Sequence, residues 1–262
     1  MASQRPEPPP LTREQVLDEL HELAAVEHAL CVEYLFLWCA LGDGLTPSRE
    51  PTDVERDVAV AAAKAFELAD REMRLLAKVN RALVAAARGP NLRRATRFRN
   101  ATPGAAEVVL APLTAAQLDG FEDREHAIAA AVDARYALLP TTLEPPPDPD
   151  VEDPLSLIAV IVEDGTGHAA AFAELRAALA QLEPAQFLRA RSDQPADELQ
   201  RDLRAIADAY YEVVLVALRA GLAHAEIGIS PSVSAMQVLG DFLPRLVELG
   251  LLPAFTLPQA FA

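Results

Sequence analysis

Three glutamates and one histidine stand inside runs of apolar residues spaced as on one face of a helix. Glu27 continues the stripe Leu17, Leu20, Ala24, Cys31, Tyr34 and Trp38, and Glu72 lies between Ala65, Ala69 and Leu76, Val79. Glu125 lies between Leu118, Phe121 and Ile128, Val132, and His168 between Ile161, Gly165 and Phe172. A carboxylate buried alone costs several kcal/mol, so it protonates, finds a cation, or is not buried. On separate helices of one bundle, three carboxylates and an imidazole can converge on a cation. Such an oxygen-rich set with imidazole suits iron or manganese better than structural zinc. The alternative is that each Glu sits at a helix flank, paired with an Arg of a neighbouring helix.

Other residues enter around this set. Asp164, four residues before His168, shares its helix face and is a further candidate ligand. Gly165 and Gly167 flank that position inside a helix, where each costs up to about 1 kcal/mol, which points to close approach of a ligand or backbone, or to a kink. Glu33, Glu67, Asp70 and Glu122 fall off the stripes and are expected in solvent. His28 adjoins Glu27, either supporting it or half-exposed at the helix boundary, and His21, His126 and His224 are expected at the surface. Segment 88–112 is the basic stretch of the chain, with Arg88, Arg93, Arg94, Arg97 and Arg99. Its Arg93 and Arg97 can orient a carboxylate-bearing substrate, or the loop can simply be solvated and balance acidic helices. Tyr34 and Trp38, on the Glu27 stripe, complete the candidate substrate contacts.

The elements that carry these residues read as helices. The first spans about 13–41, opened by Thr12 and Gln15 at capping-box spacing and stopped by Gly42 and Gly44. The second spans about 52–88, with Thr52 or Asp53 as cap, and Gly89-Pro90 ends it. A third covers about 114–139 and a fourth about 154–182, separated by the Pro-rich run PTTLEPPPDPD. Two additional helices are expected at about 196–223 and 233–249, the first with Leu199, Leu203, Ile206, Tyr210 and Val213 as plain core. Residues 1–10 form a Pro-rich leader expected to be disordered. Each stripe needs neighbours to cover it, so the economical architecture is one all-α domain, a four-helix core with two C-terminal helices.

Composition agrees. Of 262 residues 51% are hydrophobic and only 5% aromatic, with Ala and Leu dominant, which favours close-packed helices. A net charge of −16 repels phosphates and anionic lipid, so nucleic acid and membranes are poor partners. No signal-peptide pattern opens the chain, and no apolar run approaches the roughly 18 residues of a membrane span. Cys31 and Cys39, eight residues apart on one helix, are too distant to bridge and suit a reducing cytoplasm as free thiols.

The segments ELAAVEHALCVEYL, ADREMRLLAKVNRAL followed by RGPNL, IVEDGTGHAAAF and SAMQVLGDFLPRLVELGLLPAF resemble the ferritin-like domain of the iminophenyl-pyruvate dimer synthase family, over roughly residues 11–258. That resemblance implies a ferritin-like bundle and a non-haem metal site in oxidative chemistry on amino-acid-derived intermediates of bacterial specialised metabolism. Glu27 and Glu72 match the ligands of its first two helices. In the family pattern a His follows the second Glu by three residues and a Glu precedes the later His by three; here these positions are Leu75 and Gly165. At most one iron or manganese ion is expected, or none. The function expected is metal-dependent oxidation or coupling of a small carboxylate-bearing molecule. A metal-free cyclase or isomerase using a buried Glu, and a non-catalytic bundle, are the alternatives. A homodimer is a further expectation.

Overall fold

The computed structural model describes residues 11–41, 50–97, 107–111, 114, 117–124, 126, 153–166, 168–180, 183, 191–224 and 226–261. The leader, Gly42 and Gly44, Arg99, Glu125 and the second Pro-rich run lie outside these residues, as do the side chains of Asp164 and His168. Helices dominate, and among the described residues β structure is limited to two isolated bridges, Arg97 with Glu107 and Ser192 with Leu251.

Helix α1 spans Arg13–Leu41. Thr12 and Gln15 close its start reciprocally, the Thr12 N–H donating to Gln15 Oε1 at 2.8 Å and the Gln15 N–H to Thr12 Oγ1 at 3.3 Å. Every residue from Glu27 to Leu41 is buried. A helix that is apolar on all sides belongs at the centre of a core, with other elements packed around it. This corrects two expectations. Glu33 is fully buried rather than solvated. The helix is also long and apolar enough by length and composition to cross a membrane, although 89% of its 18-residue apolar window is covered by the rest of the chain.

Helix α2, Asp53–Ala85, packs along α1. Thr52 caps it with Glu55: Thr52 Oγ1 accepts the Glu55 N–H at 3.2 Å and Glu55 Oε2 accepts the Thr52 N–H at 2.7 Å. Its end differs from the Gly-Pro stop expected. The left-handed residue is Ala87, at φ 60°, with the Ala87 N–H on Val84 O at 3.0 Å and the Arg88 N–H on Leu83 O at 2.8 Å. That is a Schellman closure with alanine in the place glycine usually takes.

Helix α3 covers 117–124 in the described residues and starts from a Thr114–Gln117 capping box. The expected single helix over 154–182 is instead α4, Pro154–Thr166, and α5, His168–Leu179, both packed on α2. Helices α6, Glu198–Ala223, and α7, Ser230–Glu248, form an antiparallel-connected pair, and α6 also touches α2 while α7 touches α1. They meet so closely that a Cβ on Gly221 would lie 1.9 Å from the Gly228 carbonyl oxygen.

The buried face of α6 is not the stripe expected. Ala207, Tyr211, Val214, Leu215, Leu218 and Leu222 point inward, whereas Leu199 is 58% exposed, Ile206 41% and Val213 52%, with Leu203 and Tyr210 half-buried. Two overlapping apolar stripes share this helix. The inward one wins because its members include Tyr211, whose hydroxyl finds a buried partner on α1, and the small Gly221 that admits the following turn.

Candidate functional site

Glu27 and Glu72, the two described members of the proposed set, are both buried, Glu72 completely, on the facing helices α1 and α2. Cys31, one turn beyond Glu27, is buried as well. Burial raises its pKa well above the ordinary range, and the charges of Glu72, Asp70 and Glu27 raise it further. Leu75, three residues after Glu72, is 1% exposed and packs as core. Among the described residues no group of three or more His, Cys, Asp or Glu side chains stands close enough to share an ion. Glu125 and the side chains of Asp164 and His168 lie outside that set.

The candidate substrate residues separate into two groups. Tyr34, fully buried, packs on Phe121 of α3 at 6.3 Å between ring centroids and on Phe172 of α5 at 6.2 Å. Trp38 packs on Phe66 of α2 at 4.8 Å. Both are core aromatics that join helices. Arg93 and Arg97 are exposed. The loop that bears them is fixed through its backbone and through Asn91: the Asn91 N–H donates to Asn80 Oδ1, Asn91 Nδ2 donates to His21 O at 2.7 Å, and the Ala95 N–H donates to Ala25 O at 2.9 Å. His21 is thereby half-buried rather than at the surface. Arg88 pairs with Glu14 at 3.2 Å and Asp18 at 3.0 Å, so this part of the basic stretch does balance an acidic helix.

Two buried polar groupings escaped the sequence reading. The first centres on His28, which is fully buried and not half-exposed. Its Nδ1 faces the Leu92 carbonyl at 2.9 Å and the Arg93 carbonyl at 3.2 Å, both acceptors, so Nδ1 carries the proton and donates. Nε2 then accepts from the Tyr211 hydroxyl at 2.5 Å. Arg94 reaches Tyr211 as well and donates to the Phe255 carbonyl at 2.7 Å. Burial lowers the His28 pKa to about 4, a shift the Arg94 charge reinforces and the two carbonyls oppose. Burial likewise pushes the Tyr211 hydroxyl well up. Phe255, buried in contact with Tyr211, holds a left-handed backbone at φ 48°, which a bulky residue adopts only when its surroundings impose it.

The second grouping is Glu33 with Arg124 of α3. Arg124 Nη2 stands 2.8 Å from Glu33 Oε1 and Nε 3.1 Å from Oε2, a two-point ion pair with side chains 7% and 0% exposed. The Arg124 guanidinium also covers the Phe121 ring at 4.7 Å. A signal for Glu33 was present in the sequence: it lies within a helical segment apolar on every side, where no face is left for solvent. For Tyr211 and His28 there was none, because they are 183 residues apart.

No family model matches this chain, and no curated protein or solved structure matches it.

Proposed function

We propose that the chain is a ferritin-like bundle that binds one iron or manganese ion between its core helices and uses it in oxidation or coupling of a small carboxylate-bearing molecule. The observation that carries this reading is the burial of Glu27 and Glu72 on the facing helices α1 and α2. The donor chemistry fits: two buried carboxylate groups are the hard oxygen ligands such ions take. Helix order supports the same reading. Phe121, four residues before Glu125, and Phe172, four residues after His168, both pack on Tyr34, one turn from Cys31. Glu125 and His168 belong in this reading as the third and fourth donors, with Asp164 as an accessory one.

A bound ion of this kind supplies one-electron and dioxygen chemistry that side chains lack. The chain's own residues do the rest. Glu27 and Glu72 would hold the ion and balance its charge, and the packed Tyr34, Phe121 and Phe172 rings would keep water out of the core beside them. Leu75 offers no donor where a second chelating imidazole would stand.

Metal content per chain after anaerobic iron loading tests this. The natural protein is expected to hold one ion, Glu72→Gln less than half of that, and Leu75→His more. Two ions in the natural protein would mean the donors are misassigned. No uptake at all would leave a metal-free site, with a buried Glu as acid or base, as the surviving reading.

A further inference from the structure

The outward face of α6 carries Leu199, Asp202, Ile206, Ala209, Val213, Val216 and Ala220, in steps alternating three and four, with one charge among seven residues. Leu199 is 58% exposed, Ile206 41%, Val213 52% and Val216 42%, and Ala205 and Ala209 are exposed beside them. Steps of three and four repeat every seven residues, the period that keeps one seam turned toward a partner helix. A solvated helix face would be polar there. Nothing else in the described molecule covers this seam.

We propose that this seam is an interface between two copies of the chain, formed by α6 packing antiparallel on α6 about a two-fold axis. The sequence of the seam is complementary to itself in that orientation. Antiparallel packing that sets Leu199 against Val216 of the second copy also sets Ile206 against Ala209, large against small, and the two-fold axis makes each contact twice. Asp202 falls opposite Val213, in the layer between Leu199–Val216 and Ile206–Ala209. On one flank Glu198 meets Arg219 of the second copy, both exposed, and on the other the half-buried Leu203 meets Tyr210. A parallel pair would set like residues side by side along the seam, Asp202 against Asp202 included, and would forgo the pairing of Glu198 with Arg219. For a chain of net charge −16 a self-association surface must be poor in carboxylates, and this one is.

Light scattering on the full chain across a protein concentration series tests the proposal. A dimer is expected, and Ile206→Glu and Val213→Glu are each expected to yield monomer with unchanged helicity and melting temperature, because both residues are exposed. Orientation is read from introduced thiols, since Cys31 and Cys39 are buried and unreactive. The double variant Leu199→Cys with Val216→Cys should form a disulfide-linked dimer under mild oxidation. Leu199→Cys alone should not, because the two copies of residue 199 are then about 25 Å apart along the helices. A monomer at every concentration, which would leave the face to a lipid surface or another protein, overturns the proposal. So does a dimer that survives both glutamate substitutions, or cross-linking through Leu199→Cys alone.

Discussion

A buried histidine held neutral makes folding sensitive to acid. His28 donates from Nδ1 to two backbone carbonyls and accepts at Nε2, so the folded protein has no room for a second ring proton until the pH reaches about 4. The unfolded chain takes that proton near pH 6.5. Between these values the unfolded state binds more protons, so the stability that His28 contributes is complete above pH 6.5 and falls as pH drops toward 4. The loss amounts to about 3 kcal/mol, roughly 1.4 kcal/mol for each pH unit. His28→Gln should therefore lose less melting temperature than the natural protein over that interval, even if it starts lower at pH 8. Equal slopes would show that other groups govern acid unfolding. Arg124 makes a complementary case: substituting it by Met leaves the Glu33 carboxylate buried without its guanidinium and is expected to cost about 3–5 kcal/mol. Adding Glu33→Gln should recover much of the loss, read as coupling in a double-mutant cycle from denaturant unfolding. Additive costs would mean that the two side chains do not act as a pair.

At the scale of elements, the same helix ending occurs twice with different residues. After α7, Gly250 is left-handed at φ 71°, with its N–H on Val247 O at 2.9 Å and the Leu251 N–H on Leu246 O at 3.0 Å. After α2 the equivalent place is Ala87 at φ 60°. A side chain in that region costs about 1 kcal/mol that glycine does not. Ala87→Gly should accordingly stabilise the protein by roughly 0.5–1 kcal/mol, and Gly250→Ala should destabilise it by a similar amount. Chemical denaturation measures both, and a destabilised Ala87→Gly protein would contradict the assigned backbone. Whereas α2 ends three residues before the expected place and α7 starts three residues before it, the boundaries of α1 were legible, with its Thr12–Gln15 cap read from their spacing. Local signals set them, since capping and hydrophobic period act within a turn or two.

Across the whole molecule, 39 acidic residues face 23 basic ones. Self-repulsion of that net charge opposes the compact state, and salt screens it over distances beyond about 10 Å at 0.1 M. The melting temperature at pH 8 should rise between 0.01 and 0.15 M sodium chloride. A fall would show that exposed pairs such as Lys64 with Glu174 outweigh the repulsion.

The sequence by itself determined the all-helical class, the capped start of α1 and the two unpaired thiols, because each rests on residues one or two turns apart, whereas the burial of Glu27 and Glu72 was one of two readings it left open. Which stripe of α6 turns inward was beyond it. Both stripes have helical period, and only contacts of Tyr211 with His28 and of Gly221 with Gly228 choose between them. The ion partner of Glu33 was equally a tertiary decision. Its carboxylate meets Arg124 because α3 brings that residue to it across 91 residues, and the basic loop is structural where Arg94 and Asn91 reach partners on other elements. Long-range pairing leaves no periodic trace in a single chain, since the partners satisfy one another only after the helices have packed.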